Sequence, residues 1–266
     1  MTLIQETARA ISILREKSPL IHCITNYVTA GDTANMLLAA GASPMMADDP
    51  EECAEVTAAA NGLVLNLGTP SAARVQALLN SGRRALQHGI PVVFDPVGVG
   101  MTALRRSAAA KILSEVKPCA IRGNLSETAY LAGIPMTERG VDSADSGISP
   151  EETALSAARK LGCVCAVTGA YDVICDGERR IVIRNGTPLL RQVTGAGCMT
   201  SALCAAFASV CGAFAGTAAG IAFMDVCGEI AAERSDGLGG FHAALFDAAG
   251  SVTPEILMER LDMHEC

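Results

Sequence analysis

Aromatic residues are scarce in this chain of 266 residues: it has six phenylalanines, three tyrosines and no tryptophan. Positive charge is scarce too, because 20 lysines and arginines stand against 28 aspartates and glutamates, a formal net charge of −8. A nucleic-acid surface needs stripes of Lys and Arg and rings on which bases stack. The two shortages argue against a nucleic-acid partner and favour small-molecule partners.

Charged residues are missing between Arg191 and Asp225, a stretch long enough to raise the question of a membrane span. The stretch is rich in Ala and Gly, and five glycines interrupt it. A spanning helix needs about 20 consecutive apolar residues, mostly Leu, Ile and Phe. The composition therefore predicts two packed interior helices and no membrane contact.

No zinc-binding spacing occurs among the eleven cysteines. Cys163 and Cys165 are two apart and Cys204 and Cys211 are seven apart, so neither pair has the two-residue gap of a zinc knuckle. The cysteines are odd in number and scattered, and no signal-peptide pattern precedes them. We expect most of them to be buried free thiols of a cytoplasmic protein.

The 50% share of apolar residues allows a large core. No linker and no block of charge interrupts the sequence, so we expect residues 1–266 to form a single domain. Short apolar runs alternate with helical patterns, which predicts an α/β fold with a central, mostly parallel sheet and helices on both faces. Residues 137–149 are predicted as a solvated loop and residues 173–184 as an antiparallel hairpin. Residues 189–193 are predicted as the final strand. After residue 197 the pattern predicts a chain that is nearly all helix, at about 198–210, 213–233, 238–248 and 254–263.

Polar side chains stand at the ends of several predicted strands. In an open α/β sheet, ligands bind at the carboxyl ends of the strands. Asp95 and Glu127 together favour a magnesium site, since Mg²⁺ takes a few carboxylates plus phosphate oxygens. Arg122 can pair with phosphate, Thr168 can touch a nucleotide, and Asn26 can offer an amide to a substrate.

Each of these residues also has an ordinary structural interpretation. Asn26 could cap the next helix, Asp95 could serve a turn, and Thr168 could be a satisfied turn residue. Glu127 in the first turn of a helix could act only on the helix dipole. Of the adjacent Met45 and Met46, one could line an apolar pocket, or both could lie in the core.

Thr194-Gly195-Ala196-Gly197-Cys198 predicts a tight turn that leads into a helix. Free N–H groups at a helix start attract anions, so this segment is a candidate phosphate site. A thiol at a helix start is expected to have a lowered pKa. Cys198 could thus be the nucleophile of a hydrolase or transferase, although the four histidines offer no motif that supplies its base. Together with two metal-binding acids and a cation, the segment favours phosphoryl transfer.

Six segments jointly resemble the hydroxyethylthiazole kinases of the ribokinase-like superfamily: residues 18–26, 41–46, 95–100, 122–127, 168–169 and 194–198. The resemblance implies a ribokinase-like fold and the phosphorylation of 4-methyl-5-(2-hydroxyethyl)thiazole by ATP and magnesium, a step of thiamine biosynthesis and salvage. It also implies a homotrimer with active sites between subunits. The resemblance implies that the thiazole is contacted by Asn26, Met46 and Gly195, and ATP by Arg122 and Thr168. It implies that magnesium is bound by Asp95 and Glu127. The catalytic groups that it implies are Gly195, Ala196, Gly197 and Cys198.

Cys198 departs from the wider superfamily, in which this position is usually an aspartate that faces the substrate hydroxyl. Phosphoryl transfer depends mostly on positioning and charge stabilisation, so a weaker base is tolerable. We expect Cys198 to be a weak base or orienter and the N–H groups of residues 195–197 to contribute more.

Two alternatives to a hydroxyethylthiazole kinase stay open for the function of the chain. They are a kinase of hydroxymethylpyrimidine or another small vitamin precursor, and a binding protein without catalysis.

Overall fold

The computed structural model describes residues 2–135 and 149–266. The predicted loop at residues 137–149 therefore lies, apart from Ser149, outside the described residues. The strands of the described part are β1 (Leu20–Ile24), β2 (Ser43–Met45), β3 (Gly62–Asn66), β4 (Val92–Asp95), β5 (Ala120–Asn124), β6 (Val164–Thr168), β7 (Asp172–Cys175), β8 (Arg180–Ile183) and β9 (Met263–Glu265). Its α-helices are α1 (Leu3–Lys17), α2 (Ala30–Ala40), α3 (Cys53–Ala59), α4 (Ala72–His88), α5 (Ala103–Glu115), α6 (Leu125–Ala132), α7 (Pro150–Leu161), α8 (Ala196–Cys211), α9 (Ala213–Glu233), α10 (Leu238–Ser251) and α11 (Pro254–Arg260).

The strands form one mixed sheet in the order β2-β1-β3-β4-β5-β6-β7-β8-β9. The pairs from β2 to β6 are parallel, and those from β6 to β9 are antiparallel. The carboxyl ends of β1, β3, β4, β5 and β6 consequently lie along one edge. This arrangement confirms the predicted α/β sheet and the hairpin of β7 and β8.

The sheet separates two hydrophobic clusters because neighbouring side chains of a strand point to opposite faces. Ile21 and Cys23 of β1 pack with α1, α2 and the helices from α8 onwards. Ile24 of β1 and Leu63 of β3 face α3 to α7. Helices therefore cover both faces, as the alternating pattern predicted. All eleven cysteines are free thiols, and six of them are buried.

Helices α8 and α9 pack with almost no space between their backbones. A methyl group on Gly216 would lie 2.3 Å from Cα of Ala208, and one on Gly220 would lie 2.5 Å from N of Cys204. By length and composition alone α9 could cross a membrane, but 83% of its most apolar window is buried inside the fold. The two helices are the packed interior pair that the uncharged stretch predicted.

Two predictions about the last third of the chain are wrong. Residues 189–193 are not a strand, because Pro188–Gln192 form a 3₁₀ helix. Pro188 fixes a helical φ angle and the Thr187 hydroxyl caps the turn by accepting the Leu189 N–H at 3.4 Å. Helix α11 ends at Arg260, and the residues that follow it pair with β8 as β9.

Candidate active site

The start of α8 leaves backbone N–H groups pointing away from the helix. Gly195 precedes the helix with a φ of +91°, and the first N–H bond inside α8 runs from Met199 to the Gly195 carbonyl at 2.8 Å. A methyl group on Gly195 would lie 2.7 Å from Cγ2 of Thr29. Both the φ angle and this contact require glycine. The N–H groups of Ala196, Gly197 and Cys198 are thus available to an anion.

The thiol of Cys198 lies against two amide groups. Nδ2 of Asn26 donates to Sγ at 3.2 Å, and Nδ2 of Asn66 donates to it at 3.3 Å. Burial raises the pKa of Cys198, and the charge of Asp95 raises it further, whereas hydrogen bonds from Thr29, Asn26 and Asn66 oppose the shift. The expected lowering of this pKa by the helix start is wrong, because desolvation of the thiolate outweighs it.

Asp95, the last residue of β4, is almost completely buried. Its Oδ2 accepts hydrogen bonds from Nδ2 of Asn66 at 3.0 Å and from Oγ of Ser201 at 2.8 Å. Burial raises the pKa of Asp95 to about 7, against the opposing positive charge of Arg122, while the negative charge of Glu127 adds to the rise. A carboxylate held this way is a strong acceptor for a cation brought by a ligand.

Glu127 has a structural role at the start of α6. Its Oε2 accepts the N–H of Asn124 at 2.9 Å, and its own N–H donates to Oδ1 of Asn124 at 2.9 Å, which is a capping box for α6. Its Oε1 accepts the N–H of Gly98 at 2.8 Å. Glu127 is also close enough to Asp95 for its charge to raise the pKa of that carboxyl.

Asp95 and Glu127 suit a magnesium ion that water and phosphate also bind. They suit less well a metal ion that is bound by protein side chains alone. Within residues 2–135 and 149–266, no three His, Cys, Asp or Glu side chains are grouped as metal ligands. Mg²⁺ is typically held by one or two carboxylates, water and substrate phosphates. Asp95 and the nearby Glu127 are suited to supply the carboxylates of that donor set.

Arg122 and Thr168 meet beside the start of α8. Nη2 of Arg122 donates to Oγ1 of Thr168. A methyl group on Gly197 would lie 2.6 Å from Nη1 of Arg122, so the guanidinium rests against the first turn of α8. These residues line a cavity of about 340 Å³, which Asp172 and Asp225 line as well. The positive charge of Arg122 and the free N–H groups at the start of α8 are suited to binding phosphate.

The predicted thiazole contacts lie at the same edge of the sheet. Asn26 follows β1, is buried, and accepts the N–H of Thr29 at 3.2 Å. The capping interpretation of Asn26 is wrong, because the N-cap of α2 is Thr29 and no side chain among the described residues caps that helix. The amide of Asn26 reaches Cys198 instead. Met45 and Met46, at the end of the neighbouring β2, are 44% and 37% exposed, so their placement in the core is wrong.

The sequence did not point to four side chains of this site. Asn66 ends β3 as Asp95 ends β4, so its position carries the same sequence signal, a polar residue at the end of an apolar strand. Ser201 lies about one turn into α8. Asp225 breaks the uncharged stretch and faces Asp172 deep in the fold. Burial raises the pKa of both carboxyls.

Comparison with known proteins places this chain in one family. The model of the hydroxyethylthiazole kinase family matches residues 11–255. A hydroxyethylthiazole kinase of Ruminiclostridium cellulolyticum is 44% identical over 98% of each chain. The structure of a hydroxyethylthiazole kinase protein from Pyrococcus horikoshii matches with a TM-score of 0.91 and 33% identity over 98% of each chain. A ribokinase-like superfamily protein from Enterococcus faecalis shares the fold alone, with a TM-score of 0.57 and 14% identity over 95% of this chain and 83% of its own.

Proposed function

Because the chain belongs to the hydroxyethylthiazole kinase family, we propose that it transfers the γ-phosphoryl group of ATP to the hydroxyl of 4-methyl-5-(2-hydroxyethyl)thiazole, in thiamine biosynthesis or salvage. The observation that carries the proposal is the start of α8. There, N–H groups that are free to bind an anion lie beside the cation of Arg122, and the buried carboxylate of Asp95 accepts a hydrogen bond from Ser201 of the same helix. These are the parts that phosphoryl transfer requires.

The phosphate end of ATP binds at the first turn of α8. Arg122 and Thr168 hold it from β5 and β6, and the N–H groups of residues 196–198 stabilise the negative charge of the transferred group. Asp95 and Glu127 hold the magnesium ion, which, when bound, neutralises charge on the phosphate oxygens. The protein's own contribution is mainly position and charge.

The thiazole binds at the ends of β1 and β2, beside Asn26, Met46 and Gly195. Its hydroxyl faces Cys198. Since burial raises the pKa of this thiol, the thiol is protonated at neutral pH and acts as an orienter of the hydroxyl more than as a base. A protonated thiol also disfavours the alternative of a cysteine nucleophile.

We further propose one domain, a cytoplasmic location and a homotrimer with active sites between subunits. The exposed apolar side chains beside the thiazole site support the trimer: Tyr27 is 75% exposed and Val28 57%. Light scattering after size exclusion is expected to give three times the chain mass of 27.3 kDa. Tyr27→Glu is expected to lower that mass, and a monomeric parent protein would contradict the trimer.

An ADP-release assay with ATP and magnesium tests the reaction across thiazole, pyrimidine and sugar alcohols. We expect turnover with the hydroxyethylthiazole and its loss in Asp95→Asn. No turnover with this compound would overturn the proposal, and preferential turnover of hydroxymethylpyrimidine would favour the neighbouring kinases. Thiazole binding without ADP release would identify a binding protein. Inactivation by an alkylating agent, in a protein that consumes no ATP, would favour a cysteine hydrolase.

A further inference from the structure

Asn66 occupies the middle of the site, between the two groups with the clearest chemical roles. It is the last residue of β3, is fully buried, and stands opposite Asp95 in the register of β3 and β4. Its Nδ2 donates to Oδ2 of Asp95 at 3.0 Å and to Sγ of Cys198 at 3.3 Å. Its Oδ1 accepts the N–H of Gly68 at 2.8 Å and Nδ2 of Asn26 at 3.4 Å. Every hydrogen-bonding group of this side chain has a partner.

The surroundings of Asn66 fix which way its amide points. The backbone N–H of Gly68 can only donate, so it must meet the oxygen of the Asn66 side chain. The NH₂ group then has to face Asp95 and Cys198, and each of its two hydrogens serves one of them. A carboxylate at position 66 could not make these contacts, because it has no hydrogen to donate.

We infer that Asn66 is a positioning residue for phosphoryl transfer, which fixes the separation between the carboxylate of Asp95 and the thiol of Cys198. This inference rests on the proposed function, in which Asp95 serves the metal and phosphate and Cys198 faces the accepting hydroxyl. The transferred phosphoryl group approaches from the side of Asp95, and the accepting hydroxyl approaches from the side of Cys198. An error of about 1 Å between them lowers such a rate about 100-fold, so one side chain that spans both has a large effect.

Two neighbours of Asn66 provide matched controls, because each shares only one of its contacts. Oγ of Ser201 donates to the same Oδ2 of Asp95, at 2.8 Å. Nδ2 of Asn26 donates to the same Sγ of Cys198, at 3.2 Å. Among the described residues, no hydrogen bond joins Ser201 to Cys198 or Asn26 to Asp95.

The kinetic test compares Asn66→Leu, which keeps the approximate volume without the amide, with Ser201→Ala. We expect kcat of Asn66→Leu to fall roughly 10- to 100-fold, while KM for ATP and for the thiazole stays within about threefold. Ser201→Ala is expected to lose less of kcat, because Asp95 keeps its bond to Asn66. A merely structural role would instead raise both KM values and lower the melting temperature in parallel with kcat.

A second readout needs neither metal nor turnover. In the metal-free protein, the alkylation rate at Cys198, measured on its own peptide by mass spectrometry, reports the hydrogen bonds to the thiolate. We expect a several-fold slower rate in Asn66→Leu and in Asn26→Leu, and a rate within about twofold of the parent in Ser201→Ala. An unchanged rate in Asn66→Leu would contradict the contact.

The outcomes separate this inference from the proposed function. If the parent protein does not phosphorylate the thiazole, the proposed function fails, while the alkylation series still decides whether Asn66 holds Cys198. If the parent protein is active and Asn66→Leu keeps kcat within threefold, the inference is wrong. Should Asn66→Leu fail to fold, Asn66→Ser, which is too short to bridge the two partners, decides by the same measurements.

Discussion

The thiol of Cys198 is held by two amide groups and kept neutral by its burial. The same amide donors would suit a carboxylate, which accepts hydrogen bonds more strongly than sulfur. We therefore predict that Cys198→Asp remains a working kinase, as fast as the parent or faster. A steady-state assay of ADP release measures kcat. A Cys198→Asp protein that is folded and binds both substrates, yet is inactive, would refute this role for Cys198.

The first turn of α8 leaves no room for a side chain next to Arg122. In Gly197→Ala, the new methyl group would meet Nη1 of Arg122 at 2.6 Å, so the guanidinium has to move away from the phosphate site. We expect KM for ATP to rise about tenfold or more, as for a lost charge-assisted hydrogen bond. Because alanine favours a helix, the melting temperature should not fall. An unchanged KM for ATP would show that Arg122 does not hold the phosphates here.

Single residues show where the sequence was sufficient for the site. Asp95 and Thr168 were found because a polar residue ends an apolar strand, and the parallel order brings such ends together. Asn66 has the same signal, but Leu67 and Gly68 follow it and made it look like the interior of a longer apolar run. The raised pKa of Cys198 could not be read from sequence, since it depends on desolvation and on the charge of Asp95 from another strand.

At the scale of elements, α8 is held in place by its contact with α9. In Gly220→Ala, the new methyl group would lie 2.5 Å from a backbone atom of Cys204, which cannot turn aside as a side chain can. We predict a loss of about 3 kcal/mol or more in the free energy of unfolding, measured by urea titration. Gly250→Ala is the matched control in α10, where no atom lies within 4 Å of the added carbon, and it should stabilise by about 0.5–1 kcal/mol. Equal effects of the two substitutions would contradict the close packing.

Elements with a strong periodic pattern were predictable, and those that depend on distant partners were not. The helix predicted at residues 213–233 agrees with α9, because alanines and larger apolar residues recur between its glycines and no proline interrupts it. Strand β9 has three residues and forms only because β8, about 80 positions earlier, offers an open edge. Residues 188–192 are apolar enough for a strand, but Pro188 starts a helical turn there.

At the scale of the whole molecule, the fold buries three carboxyls and thereby disfavours their ionised forms. Burial raises the pKa of Asp95, Asp172 and Asp225, and Asp225 is raised further by its neighbour Asp172. Arg122 opposes all three shifts. The proposed phosphate site is thus lined in part by acids, Asp172 and Asp225, whose ionised forms the fold does not favour.

The raised pKa values of these carboxyls predict how stability depends on pH in the metal-free protein. A carboxyl whose pKa is higher in the folded than in the unfolded chain holds its proton more tightly when folded. For Asp95 between the usual value of 3.8 and about 7, and for Asp225 above its usual value, the folded state binds more protons, so stability is lost as the pH rises. Asp225→Asn removes one such carboxyl. It should therefore be more stable than the parent at about pH 8, by about 1.4 kcal/mol for each unit of the removed shift, with a smaller difference at about pH 5.

Urea midpoints of the parent protein and Asp225→Asn at the two pH values measure this difference directly. Asp247→Asn is the control, because Asp247 is an exposed acid on α10 and its removal should change stability little at either pH. The comparison between variants cancels the contribution of His22, whose pKa is lowered by burial and which therefore acts in the opposite direction. If Asp225→Asn were less stable than the parent at pH 8, the ionised carboxyl would be a net stabilising group of the folded protein, held by Arg122 more strongly than burial opposes it.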